Sequence, residues 1–170
     1  MDLGDTMTKL ILLRGNSGSG KTTIAHKLQN MLGNGVMCVG QDEIRRHMLN
    51  VSDSPGNLSI ELIKDITAYG IAHCKYVILE GIFNKEKYGN MLQSIISNAH
   101  IKSYIYYFDL PYAETVRRHH TKAYTDFSAE KLASWFVEKD TLNVENEKLI
   151  PETMTQHDIL TMILNDLNKE

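Results

Sequence analysis

From Leu10 to Leu28 the chain reads LILLRGNSGSGKTTIAHKL. An apolar run gives way to Gly15, Gly18 and Gly20, and then to a helix-forming stretch. A short apolar run without polar alternation fits a strand covered on both faces, as in a parallel sheet. Glycines open backbone conformations closed to other residues, so that successive N–H groups converge on an anion. The helix that follows aims the positive end of its dipole at the same point. Gly15, Gly20, Lys21 and Thr22 satisfy G-x-x-x-x-G-K-[ST], the phosphate-loop pattern. In that pattern Lys21 supplies a point charge to the outer phosphates, and the Thr22 hydroxyl suits the shell of a magnesium ion.

Strand and helix signals alternate along the rest of the chain. KLILLR (Lys9–Arg14), GVMCVG (Gly35–Gly40), YVILEG (Tyr76–Gly81), SYIYYFDL (Ser103–Leu110) and EKLIP (Glu147–Pro151) read as strands buried on both faces. TTIAHKLQNML stops at Gly33, a helix-ending residue. LSIELIKDITAYGIA sets Leu58, Leu62, Ile63 and Ile66 on one stripe. PYAETVRRHH opens on Pro111 with Glu114 in its first turn. A last helix from about Thr155 carries a T-x-x-D cap in Thr155 and Asp158. The alternation predicts an α/β fold: a parallel sheet of about five strands between helical layers, with right-handed crossovers. Ligands of such sheets sit beyond the carboxyl ends of the strands. With 170 residues, one domain over 1–170 is expected, with 1–8 as a flexible N-terminus.

Composition narrows the function classes. The chain is 42% hydrophobic and 23% charged, an ordinary globular balance. Its net charge of −3 offers no basic excess for nucleic acid or an acidic membrane. Cys38 and Cys74 stand apart in apolar surroundings without a CxxC pair, which fits buried free thiols in a reducing compartment. MDLGDTMTK lacks the basic and apolar regions of a signal peptide, and Leu10 to Leu13 is too short to span a bilayer. A soluble, cytoplasmic protein is expected.

The chemistry is expected just after each strand. Asn84-Lys85-Glu86-Lys87 has lysine where a guanine-reading N-K-x-D needs aspartate, and no L-S-G-G-Q signature is present; a small phosphotransferase remains. After the second strand, Asp42 would face the γ-phosphate with Arg45 three residues on. Transfer to a hydroxyl needs a carboxylate to orient and deprotonate it, and Asp42 is the candidate, with Arg45 steadying the acceptor or the transferring group. The alternative is that Asp42 only caps the helix beginning there. Arg46 reads as an exposed helix residue. After the third strand, Glu80 stands where an acid helps hold magnesium, with a water-mediated or substrate-orienting role as the alternative. After the fourth, Arg117, Arg118, His119, His120 and Lys122 cluster. They suit a lid over about 117–140 that carries arginine onto phosphate, or else a solvated basic helix face. The adjacent histidines lack the spacing of a zinc site. Trp135 and Phe136 sit in a helical pattern after Ser128 and read as packing residues.

LRGNSGSGKTT, QDEIRRHML, VILEGI, YYFDLPYAETVRRHHTK and WFVEKD together resemble small P-loop kinases of the zeta-toxin and chloramphenicol-phosphotransferase type. The resemblance runs from about Lys9 to the final helix. It implies a P-loop NTPase fold like that of the nucleoside-monophosphate kinases, with three α/β/α layers and a small helical lid. It also implies ATP and Mg2+ as cosubstrates and phosphate transfer to an alcohol. On that reading Gly15, Asn16, Ser17, Gly18, Ser19, Gly20, Lys21, Thr22 and Thr23 hold ATP together with Arg117 and Arg118. Thr22 and Glu80 serve the metal, while Lys21, Asp42, Arg45 and Arg118 carry catalysis. Relatives can have arginine where this chain has Lys122, and by the same analogy the loop from Pro151 lies near adenine. The acceptor is then a hydroxyl of a small molecule (a nucleoside, sugar, nucleotide sugar or antibiotic-like alcohol), with Val51 to Ala72 shaping its pocket. Polynucleotide kinases share the D-x-x-R arrangement, so a nucleic-acid end is the alternative acceptor, against which the net charge counts. A protein that binds ATP as a switch and phosphorylates nothing is the rival of another class.

Overall fold

The computed structural model describes residues 7–121 and 128–169. Five strands, β1 (Thr8–Gly15), β2 (Met37–Gly40), β3 (Tyr76–Gly81), β4 (Ile101–Asp109) and β5 (Glu147–Pro151), form one sheet in the order β2-β3-β1-β4-β5. Every pairing is parallel. β1 is central, which is why its apolar run needs no polar alternation: Leu10, Ile11, Leu12 and Leu13 are all inaccessible to solvent. Successive residues serve opposite faces. Ile11 and Leu13 pack with Ile24, Ala25 and Leu28 of α1 (Lys21–Leu32) and with Ile159 and Ile163 of α6 (Gln156–Asn168). Leu10 and Leu12 pack with Ile63 of α2 (Ser59–His73) and with Tyr88, Leu92 and Ile95 of α3 (Lys85–Ile96). The fold is thus a three-layer α/β/α sandwich, completed by α4 (Tyr112–His120) and α5 (Ala129–Trp135) after β4.

β2 and β5 are the sheet edges, and Leu149 of β5 is exposed, so these strands are not buried on both faces. Leu58 precedes α2 and is 70% exposed; the inward line of α2 is Ser59, Ile63, Thr67 and Gly70. A Cβ at Gly70 would lie 2.5 Å from Met37 Sδ, so the small residues let α2 close on the sheet. Helix α3 has no counterpart in the sequence reading. Asn84, weighed only as part of a guanine motif, caps it by accepting hydrogen bonds from the N–H groups of Glu86 and Lys87. The capping box of Thr155 and Asp158 forms as expected.

Thr8 belongs to β1, so a flexible start cannot extend over all of 1–8; residues 1–6 lie outside the described ones, as does Lys122. Among the described residues no helix is long and apolar enough to cross a membrane.

Candidate active site

At the carboxyl end of β1 the chain enters the glycine loop with φ +147° at Gly15, +79° at Gly18 and +95° at Gly20. A side chain at Gly15 would collide with Phe108, its Cβ lying 2.8 Å from Phe108 Cβ. Gly20 caps α1 without offering a side-chain acceptor, so the first N–H groups of that helix are left for an anion. Lys21 is buried, and its ammonium donates to the Asn16 carbonyl at 2.8 Å and to Ser19 Oγ at 3.1 Å.

A cleft of about 570 Å³ opens on this loop. Its walls include Ser17 to Ile24, Asp42, Arg46, Glu80, Arg117, Arg118 and His119, with Met154 to Gln156 at the start of α6. The loop after Pro151 therefore does reach the cleft. Gly15, Asn16 and Arg45 stand behind the wall rather than in it, and no residue of Val51–Ala72 lines it. That segment acts at one remove: the Val51 carbonyl accepts a hydrogen bond from Arg45 Nη1 at 2.9 Å.

Thr22 Oγ1 donates to Glu80 Oε2 at 3.1 Å. Burial raises the pKa of the Glu80 carboxyl, with nearby Asp42 acting in the same direction and Lys21 and the Thr22 hydroxyl opposing. A Cβ at Gly40 would stand 3.1 Å from Glu80 Oε1, so glycine there leaves room for the carboxylate. A hydroxyl and a carboxylate side by side are the hard oxygen donors that Mg2+ takes alongside phosphate oxygens and water. No group of three or more His, Cys, Asp or Glu among the described residues could hold a metal by itself.

Asp42 is 57% exposed at the mouth of a π-helical turn, Glu43–Met48. It makes no side-chain cap, which removes the capping alternative. Instead its Oδ1 accepts from Arg45 Nη2 at 3.1 Å and pairs with Arg46 Nε at 3.3 Å. Arg46 is thus a wall residue holding Asp42 rather than a solvated bystander; the i,i+4 spacing from Asp42 was the signal that could have revealed it. Across the cleft, Arg118 Nη1 donates to the Ser19 carbonyl at 3.0 Å and its Nε to Glu114 Oε1 at 2.6 Å. Glu114 also takes two hydrogen bonds at 2.7 Å from the exposed Arg117. These hydrogen bonds, Arg117 before Arg118, hold the Glu114 pKa down at about 2. The basic helix is therefore not only a solvated face. His119 is buried on the same wall. Trp135 is 41% exposed, and Phe136 meets Tyr112 edge-on at 5.3 Å, a packing contact as expected.

A doubly covered parallel sheet with an anion-binding loop at the end of its central strand defines a P-loop nucleotide-binding domain. Residues 10–139 match the model of the AAA_33 family, described as an AAA domain, and the chain belongs to that family. None of the curated protein sequences matches it. Among solved structures the chain is similar to the Mycobacterium tuberculosis APS kinase CysC in complex with AMPPNP and APS. The TM-score is 0.71 at 17% identity, covering 96% of this chain and 99% of that one. It is also similar to a gluconokinase from Sinorhizobium meliloti 1021 (TM-score 0.64, 14% identity, 95% and 96% covered). The tunicamycin resistance protein of Deinococcus radiodurans gives the same TM-score, identity and coverages. At these identities the likeness establishes the shared fold.

Proposed function

We propose that the chain is an ATP-dependent phosphotransferase that moves the γ-phosphate of ATP to a hydroxyl of a small molecule. The observation that carries this reading is the placement of Asp42. Its carboxylate is not spent on capping, is oriented by Arg45 and Arg46, and opens into the cleft that holds Lys21, the Thr22–Glu80 pair and Arg118. A protein using ATP only as a switch needs the loop but not an oriented carboxylate facing it. That the similar solved structures are named as APS kinase and gluconokinase supports the same class.

On this reading the main-chain N–H groups of Ser17 to Thr23 and the Lys21 ammonium bind the phosphates. Thr22 and Glu80 would hold a magnesium ion, which when bound screens the phosphate charge. Asp42 accepts the proton of the acceptor hydroxyl as its oxygen forms the new bond to phosphorus. The bond to the bridging oxygen breaks, and ADP leaves with that electron pair. On the same reading Arg118, whose Nη1 donates to the Ser19 carbonyl, stabilises charge on the transferring group, with Arg117 beside it. The AAA_33 match over 10–139 and a fold that closes on one sheet favour a single kinase domain over 1–170. The acceptor on this reading is a small hydroxyl compound, and the reaction fits the cytoplasm, where ATP is available.

The test is to incubate the protein with Mg-ATP and a cellular small-molecule extract and search for new phosphorylated compounds by mass spectrometry, beside Asp42→Asn. A product made by the wild type and reduced about 10²–10⁴-fold in the variant is expected from loss of a general base. A product formed equally by both proteins would remove Asp42 from the mechanism, and nucleotide binding without any product would favour the switch.

A further inference from the structure

Asn16 belongs to the phosphate loop by sequence, yet its side chain does not point into the cleft. The carboxamide is buried and grips the Val137 peptide at two points. Nδ2 donates to the Val137 carbonyl at 2.7 Å, and Oδ1 accepts from the Val137 N–H at 3.0 Å. An amide matched to both main-chain groups of one residue behaves as a neighbouring strand would, across 121 positions of sequence. Val137 stands two residues beyond α5. The same return segment is fixed again at Asp140, which pairs with Arg14 Nη2 at 3.1 Å and accepts from the Lys85 N–H at 2.8 Å. The chain leaving α5 is thus fastened to the two residues flanking Gly15.

The main chain of Asn16 faces the other way. Its carbonyl accepts from the Lys21 ammonium at 2.8 Å and from the Ser19 N–H at 3.3 Å. One residue therefore presents its carbonyl to the group that meets phosphate and its side chain to the root of α5. A phosphate bound by the loop competes for the Lys21 ammonium and fixes the neighbouring peptides, and the carboxamide rides on those peptides.

We propose that Asn16 is the positioning residue through which phosphate occupancy of the loop is coupled to the chain segment leaving α5. The inference rests on the nucleotide reading given above. It names a residue that acts through its grip on Val137 and does not itself touch the transferring group.

The experiment is hydrogen exchange on the full chain with and without AMPPNP and Mg2+, with nucleotide binding followed separately by calorimetry. The variants are Asn16→Ala, which removes both bonds, and Val137→Pro, which removes the donor at the far end and leaves the loop untouched. Phe136, before that proline, has φ −68° and ψ 126°, the extended conformation that a residue preceding proline favours. In the wild type, nucleotide should slow exchange over 129–140 by about fivefold, the effect of firming one net hydrogen bond. In both variants nucleotide should still bind; the slowing should vanish in Asn16→Ala and be reduced in Val137→Pro, which keeps the bond to the carbonyl of residue 137. Binding without slowing in the wild type, or slowing that survives in both variants, overturns the coupling while leaving the nucleotide reading intact. If Asn16→Ala loses the nucleotide, Val137→Pro decides alone. Absence of binding in the wild type defeats the nucleotide reading itself, and the coupling with it.

Discussion

Arg14 is the last side chain of β1 before the glycine loop, and none of it reaches solvent. Burial pushes its pKa down, and the carboxylates of Asp140 and Glu147 hold the charge in place. Nη2 lies 3.1 Å from Asp140 and Nη1 3.3 Å from Glu147, while Nε and Nη2 both donate to the Phe83 carbonyl at 3.2 and 2.8 Å. Arg14→Met keeps an unbranched stem and strands two carboxylates whose side chains are 15% and 4% exposed. Removing one partner of a buried pair costs about 3–5 kcal/mol. Two features place this case at the lower end. Asp140 keeps the Lys85 N–H, and Glu147 keeps the N–H groups of Leu142 and Asn143. The ion-pair separations are also longer than the ~2.8 Å of a strong charge-assisted bond. A loss of about 3 kcal/mol is expected, or a fall in Tm of about 6–12 °C for a domain of this size. Urea and thermal unfolding would measure both. Adding Asp140→Asn and Glu147→Gln should recover more than half of the loss, because the amides leave no unpaired buried charge. A loss below about 1 kcal/mol, or no recovery in the triple variant, would refute the electrostatic account and leave only packing of the stem.

Glu114 titrates at about 2 instead of an ordinary 4.5. Its pairing with Arg117 and Arg118 therefore stabilises the fold above the ordinary value and is lost as pH falls through about 2. A carboxyl carbon titration by NMR should show this low midpoint, and replacing both arginines by alanine should return it toward 4.5. An ordinary midpoint in the intact protein would mean the pairing does not hold in solution. The Cys38 thiol, pushed up to about 11 by burial and then by Glu80, should resist alkylation at pH 8 in site-resolved mass spectrometry; rapid labelling there would contradict its environment. Gly81→Ala should cost about 1–3 kcal/mol by overpacking, since the new Cβ would lie 2.5 Å from Gln41 Oε1 and 2.9 Å from Phe83 Cε2. Gly89→Ala, whose Cβ meets only Lys85 Cγ at 3.5 Å, should instead gain about 0.5–1 kcal/mol within α3; equal effects at the two sites would refute the steric argument.

What could be read from sequence was chemistry carried by neighbouring residues. The glycine loop, the Thr155–Asp158 cap, the buried run of β1 and the Asp42–Arg45 spacing each lie within one turn or one strand, so pattern and physics coincide. Sheet order was not legible, because which strand becomes an edge depends on crossovers between segments dozens of residues apart. EKLIP and YVILEG look alike as apolar runs, yet the first lies at the edge with Leu149 exposed and the second beside the central strand. The missed α3 had its stripe in plain view, with Tyr88, Met91, Leu92 and Ile95 all buried, but its polar first turn drew comparison with a guanine motif instead.

The two residues flanking Gly15 show why the loop motif alone describes the site incompletely. The motif explains which N–H groups meet phosphate, but Asn16 is one of its unspecified letters and Arg14 precedes it. In the fold these two residues bind partners 126 and 121 positions away, at Asp140 and Val137. Arg14 also fixes the carbonyl of Phe83, a residue held at φ +42°, whose N–H is taken by Gln41, next to Asp42. A continuous set of hydrogen bonds thus runs from Gln41, the chain neighbour of the candidate base, through Phe83 and Arg14 to the segment that follows α5. The glycines allow the loop its shape. Arg14 and Asn16 set that shape against the rest of the cleft, and local spacing holds no record of such a role because the partners meet only when the sheet has formed.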